Sequence, residues 1–307
     1  MFDVVTFGSA VIDMFVETDM REKGKFMEYP VGSKILVNNM KFEIGGGGTN
    51  TAVAFARLGL KTGYIEKIGN DFSGKEILGM LKKEKIAFLG KIEGDEKILG
   101  GYSVILDSRD HDRTILTYKG VNDDVSYSDL RVGRIRTKWL YFSSLLGESL
   151  KTQARLAKEL HARGTKIAFN PSEYLIKSER KNISGILRIC EVVILNKEEA
   201  ELLLGRKAKK TQELLSGLVD LGSRIAVITD RDREVVAFDG NNKYSIIPHK
   251  VKVVERTGAG DAFASGFVAG LVTGKSTEES MKLGLEEGEA VIRGMGAKTN
   301  LIRRRLR

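Results

Sequence analysis

Cysteine is nearly missing from this chain. Cys190 is the single one in 307 residues, so no intrachain disulfide can form. It sits in the apolar stretch 186–195 and reads as a small buried core residue, not a nucleophile. The three histidines, His111, His161 and His249, lie far apart, and no paired Cys/His spacing exists, which argues against a zinc site. This usage suits a reducing compartment. Only three prolines occur, with no Pro/Ser linker, low-complexity segment or internal repeat. No hinge is evident, and one domain over 1–307 is expected. No apolar run reaches 18 residues, so no membrane-spanning helix is expected. The strand-like start at 2–7 contains Asp3 and lacks a signal-peptide pattern, so a cytoplasmic protein is expected.

What is present is ordinary in bulk: 42% hydrophobic and 30% charged residues, enough for a substantial core. The net charge of +9 (50 Lys+Arg against 41 Asp+Glu) includes Arg303, Arg304, Arg305 and Arg307. Those four read either as a frayed, solvated end or as an attractor of polyanions, a nucleic acid or a triphosphate. No nucleic-acid motif or aromatic-basic interleaving supports the nucleic-acid reading.

The second half alternates regularly. Apolar strand-like runs at 139–142, 167–169, 192–195 and 225–228 are separated by helical patterns such as 152–162, 197–204 and 211–221. This pattern predicts a parallel sheet covered on both faces. The first half differs: 34–42, 98–106 and 114–118 read as strands with no helix between neighbours. Gly100-Gly101 and the cluster 107–112 supply turn chemistry. A small antiparallel sheet standing off the main body is expected there, placed to cover a site.

The chemistry concentrates at Thr257-Gly258-Ala259-Gly260-Asp261, between a β-favouring run at 250–254 and helically spaced Phe263, Gly266, Phe267 and Gly270. A small-residue loop opening a helix is an anion site. The first helical N–H groups lack partners, the helix dipole favours negative charge, and glycine admits close approach. Asp261 beside such a site is placed to accept a hydroxyl proton. The plain alternative is that Asp261 caps the helix and the glycines make a turn.

A second glycine run, Gly45-Gly46-Gly47-Gly48-Thr49-Asn50, precedes a small-residue helical stretch at 51–58. It suggests close backbone approach to a ligand or a flexible hinge. Two decoys fall away. Gly274-Lys275-Ser276 lacks the P-loop glycine, since Ala269 stands five positions earlier, and Gly274 reads as a helix C-cap. Gly45 to Asn50 fails the dinucleotide pattern because its last position is Asn50.

The two glycine stretches together, in this order and separation, resemble the signatures of the ribokinase-like (PfkB) carbohydrate kinase family, and the resemblance runs over essentially the whole chain. It implies a three-layer α/β/α fold with a mostly parallel central sheet and a small β-sheet lid, here about 12–43 and 97–120. It implies transfer of the γ-phosphoryl of ATP, with Mg²⁺, to an alcohol. Asp261 then matches the catalytic base, and Gly258, Ala259 and Gly260 match the anion hole. Asp13, Gly45, Gly46 and Asn50 match substrate-contacting positions. Asn196 and Glu199 match the Asn-x-x-Glu motif that serves the nucleotide and, through water, Mg²⁺. Gly69 to Gly74 matches a further, structural element.

There are departures from the family pattern. Thr229, a nucleotide-contacting position, is followed by Arg231 and Glu234 where many members have glycines. Asp-Thr-Thr becomes Glu255-Arg256-Thr257, so Glu255 is the remaining candidate for a monovalent cation such as K⁺. Asp-Pro-Asn becomes Asn170-Pro171-Ser172. The expected activity is therefore that of an ATP-dependent kinase of a small sugar or sugar-like molecule. A nucleoside kinase on the same fold is the near alternative, with Phe15, Met40 and Tyr102 as stacking candidates. A non-catalytic ligand- or nucleic-acid-binding protein is the distant one. Family members often dimerise through lid strands, so a homodimer is a further expectation.

Overall fold

The computed structural model describes residues 1–20, 22–24, 26–107 and 113–306. Its largest sheet has nine strands. From one edge they run Lys243–Ile246, Glu234–Phe238, Ile225–Asp230, Val192–Asn196, Lys166–Asn170, Thr137–Ser143, Phe2–Phe7, Thr62–Ile65 and Ala87–Phe88. All neighbours are parallel except where Glu234–Phe238 turns back on Ile225–Asp230 and Lys243–Ile246 follows it.

Both faces are buried, which is why these strands read as continuous apolar runs. Successive side chains point oppositely. Leu140 and Phe142 join Phe7 and Phe169 on one face, and Trp139 and Tyr141 join Val4 and Phe267 on the other. Helices Gly47–Arg57, Ala259–Val272 and Thr277–Val291 cover the second face, while Gly147–Ala162 packs on the first. Cys190 is buried in the core.

Phe2–Phe7 pairs with Thr62–Ile65 on one side and with Thr137–Ser143 on the other, so the order of connection reverses at this strand. A crevice opens at the carboxyl ends of strands at such a reversal. Gly8, Ser143, Asn170, Asn196 and Thr229 all lie at those carboxyl ends.

The expected second sheet exists, with four strands ordered Arg113–Tyr118, Gly101–Asp107, Val11–Glu17, Asn39–Gly45. One pair, Gly101–Asp107 with Val11–Glu17, is parallel, and the others are antiparallel. The register builds two cross-strand rows on one face: Thr117–Ser103–Asp13–Glu43, and beyond it Ile115–Ile105–Phe15–Lys41. Tyr102 and Met40 have the opposite parity and belong to the other face, so of the three stacking candidates Phe15 alone shares a face with Asp13.

Several expected elements shift. The strand expected over 34–42 begins only at Asn39 and continues to Gly45. No strand forms at 250–254. There Val254 N–H reaches Ile292 O at the end of the last long helix, at 2.8 Å, instead of a strand neighbour. The turn expected over 107–112 falls at 108–112, outside the described residues. Gly274 follows a helix end with φ +82, and Ser276 caps the next helix, as expected for a connector. Up to Leu306 the basic tail is docked, not frayed: Arg303 pairs with Glu84 and Arg304 with Glu286, while Arg307 lies outside the described residues.

Candidate active site

Helix Ala259–Val272 starts at Gly258, whose φ of +80 and ψ of −1 are left-handed. A Cβ there would lie 2.5 Å from the Ala297 Cβ, so glycine is required on both counts. No side chain caps this helix. Among the described residues the N–H groups of Gly260 and Asp261 donate to no backbone carbonyl, and a Cβ on Gly260 would meet nothing within 4 Å. The first turn thus presents bare amides to open space, an anion-binding arrangement.

Asp261 does not cap the helix. Its Oδ2 accepts a 2.8 Å hydrogen bond from Asn50 Nδ2, across 211 residues of sequence. Asn50 rides in helix Gly47–Arg57, which begins inside the glycine run. Burial raises the Asp261 carboxyl above its ordinary range, and the Asn50 bond and the Lys298 charge offset only part of that.

The glycine run is explained first by packing of protein on protein. A Cβ on Gly45 would fall 1.8 Å from Asp13 Oδ2, and one on Gly46, at φ +93, 2.4 Å from Ser9 O. A Cβ on Gly48 would meet Gly8 O at 2.0 Å. These contacts let the helix start press against the first strand's exit and bring Asn50 to Asp261. Gly46 and Gly47 also line the cleft.

Lys298, which no sequence motif singles out, completes this centre. Its Nζ donates to Asn50 Oδ1 and to Ile44 O. Asn50 therefore has its oxygen turned to an ammonium and its nitrogen to a carboxylate. Burial lowers Lys298 to about 8, although the nearby negative charges of Asp13, Asp261 and Glu43 act to raise it. Arg57 fixes the segment by donating to Lys298 O at 2.6 Å while pairing with Glu84.

Asp13 stands on the smaller sheet. Burial raises it to about 6, against its Ser103 hydrogen bond and the Lys298 charge. Asp13 and Asp261 line one cleft of about 310 Å³ with Ser9, Ser143, Ser144, Asn170 and Tyr174. A second cleft of about 350 Å³ lies on the other side of the same helix start, lined by Ala259, Gly260, Asn196, Thr229, Arg231, Arg256 and apolar Val235, Phe263, Leu285 and Ile292. Both volumes suit small ligands.

Asn196 and Thr229 are register partners on adjacent strands, so the expected nucleotide residues come together. Asn196 and Glu199 form a capping box: Asn196 Oδ1 accepts Glu199 N–H and Glu199 Oε2 accepts Asn196 N–H, each at 2.8 Å. Burial raises Glu199 to about 7, with backbone bonds from Asn196 and Glu173 opposing. Arg231 has a left-handed φ of +52 at the cleft rim and pairs with Glu198 at 3.3 Å. Glu255 accepts Gly296 N–H at 2.7 Å, tying the loop before the helix to the segment that carries Lys298. Asp71 caps helix Phe72–Lys83 and accepts from Gly100 N–H and the Tyr102 hydroxyl, so the Gly69 to Gly74 element braces the smaller sheet. That bond also removes Tyr102 from the cleft. Among the described residues no group of three His, Cys, Asp or Glu side chains converges on a metal position, and no helix is long and apolar enough to cross a membrane.

Known proteins share the chain's sequence pattern and fold. Residues 1–304 match the family model described as pfkB family carbohydrate kinase. An ATP-dependent 6-phosphofructokinase of Thermoanaerobacterium thermosaccharolyticum is 25% identical over 310 residues, covering 98% of this chain and 91% of that protein. A cytidine kinase of Thermococcus kodakarensis is 27% identical over 305 residues, covering 96% and 98%. The crystal structure of ribokinase from Thermotoga maritima superposes with a TM-score of 0.82 at 21% identity, covering 97% of this chain and 95% of that one.

Proposed function

Since the chain belongs to the pfkB family of carbohydrate kinases, we propose that it moves the γ-phosphoryl of ATP to a hydroxyl of a small sugar or sugar-like acceptor, with Asp261 as general base. One observation carries this reading: a buried carboxylate, held by Asn50, sits in the first turn of a helix whose free amides open between two clefts.

The acceptor occupies the cleft under the smaller sheet, where Asp13, Asn50 and the Gly45–Gly46 backbone receive its hydroxyls. The sheet acts as a lid that excludes water. Asp261 accepts the proton of the attacking hydroxyl, and the raised affinity that burial gives its carboxyl suits it to that task. The amides of Gly258, Gly260 and Asp261 stabilise charge on the phosphoryl in flight; the Ala259 N–H, expected to share this task, is held by Arg256 O at 3.3 Å. The nucleotide lies in the second cleft, its base against Val235, Phe263 and Ile292, with Asn196 and Thr229 alongside and Arg231 and Arg256 at its rim. Mg²⁺, when bound with ATP, neutralises polyphosphate charge. Glu199 is the side chain that would hold it through water, its carboxylate already engaged with backbone N–H groups and so unsuited to direct ligation. Glu255 likewise has a structural partner in Gly296, which makes a K⁺ requirement a question for the assay.

The test is ADP release from ATP across a panel of sugars, sugar derivatives and nucleosides, with and without K⁺. At least one acceptor should stimulate it, and Asp261→Asn should lower kcat by roughly 10²- to 10⁴-fold. Near-wild-type turnover in that variant would remove Asp261 from the mechanism. The apolar row Phe15–Ile105–Ile115 supports a second reading, a nucleoside whose base lies against it. Adenosine and cytidine in the same panel decide that. The outer face of the smaller sheet exposes Met40, Phe42, Leu116 and Tyr118, and we propose a second copy of this chain as its partner.

A further inference from the structure

Lys119 has no part in the mechanism above. It follows strand Arg113–Tyr118, and its main chain is pinned: Asn122 Nδ2 donates to Lys119 O at 2.6 Å, while Asn122 Oδ1 takes the Ala10 N–H at 2.8 Å. Its ammonium lies 4.5 Å from the centroid of the Tyr174 ring and 3.4 Å from the Tyr174 hydroxyl, which donates to Ser144 O at 2.9 Å. Lys119 and Tyr174 line the same cleft as Asp13 and Asp261. Among the described residues Lys119 forms no ion pair. Glu66, the acid that its charge reaches, is fully buried, and burial raises its carboxyl well above the usual range.

Two further groups point the same way. Ser143 and Ser172 line this cleft, and each has a buried hydroxyl oxygen with no hydrogen-bond partner. Ser143 is itself only 5% exposed. Buried polar atoms find partners in folded proteins, and an orphan facing a cleft expects one from a ligand. Two free hydroxyls and an unpaired ammonium make a donor-rich corner, matched by oxygens that carry negative charge. The cleft's two carboxylates, Asp13 and Asp261, suit the opposite partner, a hydroxyl donor.

We propose that the acceptor carries an anionic group, a carboxylate or a phosphate, received by Lys119 with the Ser143 and Ser172 hydroxyls. This rests on the kinase reading and narrows it to sugar acids or phosphosugars in place of neutral sugars and nucleosides.

The experiment measures kcat/KM on matched pairs, ribose with ribose 5-phosphate, fructose with fructose 6-phosphate and glucose with gluconate, plus cytidine and adenosine. It compares wild type, Lys119→Met and Lys119→Arg. In at least one pair the anionic member should exceed the neutral one by roughly 10- to 150-fold, the range of a charged hydrogen bond. Which pair responds tells carboxylate from phosphate. The ratio should collapse toward unity in Lys119→Met, mainly through KM, and survive in Lys119→Arg. A mere loss of folding lowers both members and leaves the ratio alone, so a ratio unmoved in Lys119→Met overturns the proposal. So does a wild type that prefers neutral acceptors. If no acceptor of either kind stimulates ADP release, the kinase reading itself fails, and this one with it.

Discussion

Replacing Lys298 by methionine separates what this lysine does for catalysis from what it does to stability, because the two effects have opposite sign. Burial holds the folded-state pKa at about 8, against 10.5 ordinarily. Between those values the unfolded chain binds more protons than the folded one. Stability should therefore rise with pH across that window, and the penalty is fully present below pH 8. At 1.36 kcal/mol per unit the penalty is roughly 3 kcal/mol at neutral pH, less whatever solvent screening removes. Methionine lifts it but orphans Ile44 O and Asn50 Oδ1, which costs about 1–3 kcal/mol for each in return.

The net expectation is a melting temperature within a few degrees of wild type. Catalysis should behave otherwise. Lys298 and Asp261 are bridged by one amide, a separation of roughly 7 Å by ordinary bond and hydrogen-bond lengths. At an effective dielectric of about 20 this is worth roughly 2 kcal/mol to the ionised Asp261. Without it the acid limb of the kcat/KM profile should move up by about 1.5 pH units, and turnover near neutrality should fall several-fold. Freed of its anchor, the Asn50 amide would also lose its fixed orientation. The assay is a pH series of coupled ADP release for both proteins, beside thermal melts at pH 7 and pH 9. An unmoved acid limb would refute the electrostatic reasoning. A collapse of the melt by more than about 10 °C would show that Lys298 is structural instead.

Two predictions come from the glycines and the exposed sheet face. Gly258→Ala, forced against Ala297 at a left-handed φ, should destabilise by on the order of 1–3 kcal/mol, while Gly260→Ala, whose Cβ meets nothing within 4 Å, should leave the melt unchanged and raise the KM for ATP. Equal effects of the two on stability would contradict the packing. Phe42, 51% exposed on the outer face of the smaller sheet, should on change to Glu convert a homodimer to monomers by sedimentation. A wild type that sediments as a monomer would dispose of the interface.

The second half of the chain was readable because its strands are buried on both faces and their apolar runs are unbroken. The smaller sheet is readable in outline, but 34–37 reads as strand and forms none, and only Asn38 N–H reaches Glu17 O just before the strand starts. Likewise 250–254 has strand-favouring residues without a strand neighbour. Such propensity describes a fit to a half-buried surface that only tertiary structure supplies. The neighbourhood of Asp261 is legible since loop, helix start and carboxylate are contiguous. Lys298, Lys119 and Ser143 were not, because each gains its meaning from a partner far away in sequence. A weak signal did exist at Ser143-Ser144, a polar pair closing an apolar strand at the same edge as Asn170 and Asn196. The arginines of the tail looked free for the same reason: Glu84 lies 219 residues before Arg303.

The four strands of the smaller sheet all meet the main body at one end, near Ala10, Gly45, Gly100 and Lys119. Such a sheet is a lever with its fulcrum along that line. Each strand is about 20 Å long. A turn of roughly 15° would carry the free tips through about 5 Å, yet would move the Thr117–Ser103–Asp13 row, two residues out, by no more than about 2 Å. The polar row can keep hold of an acceptor's hydroxyls while the apolar row beyond it swings. Recognition would then proceed in sequence along the lever arm, hydroxyls first and apolar contacts last, with the outermost row reporting whether the whole molecule fits.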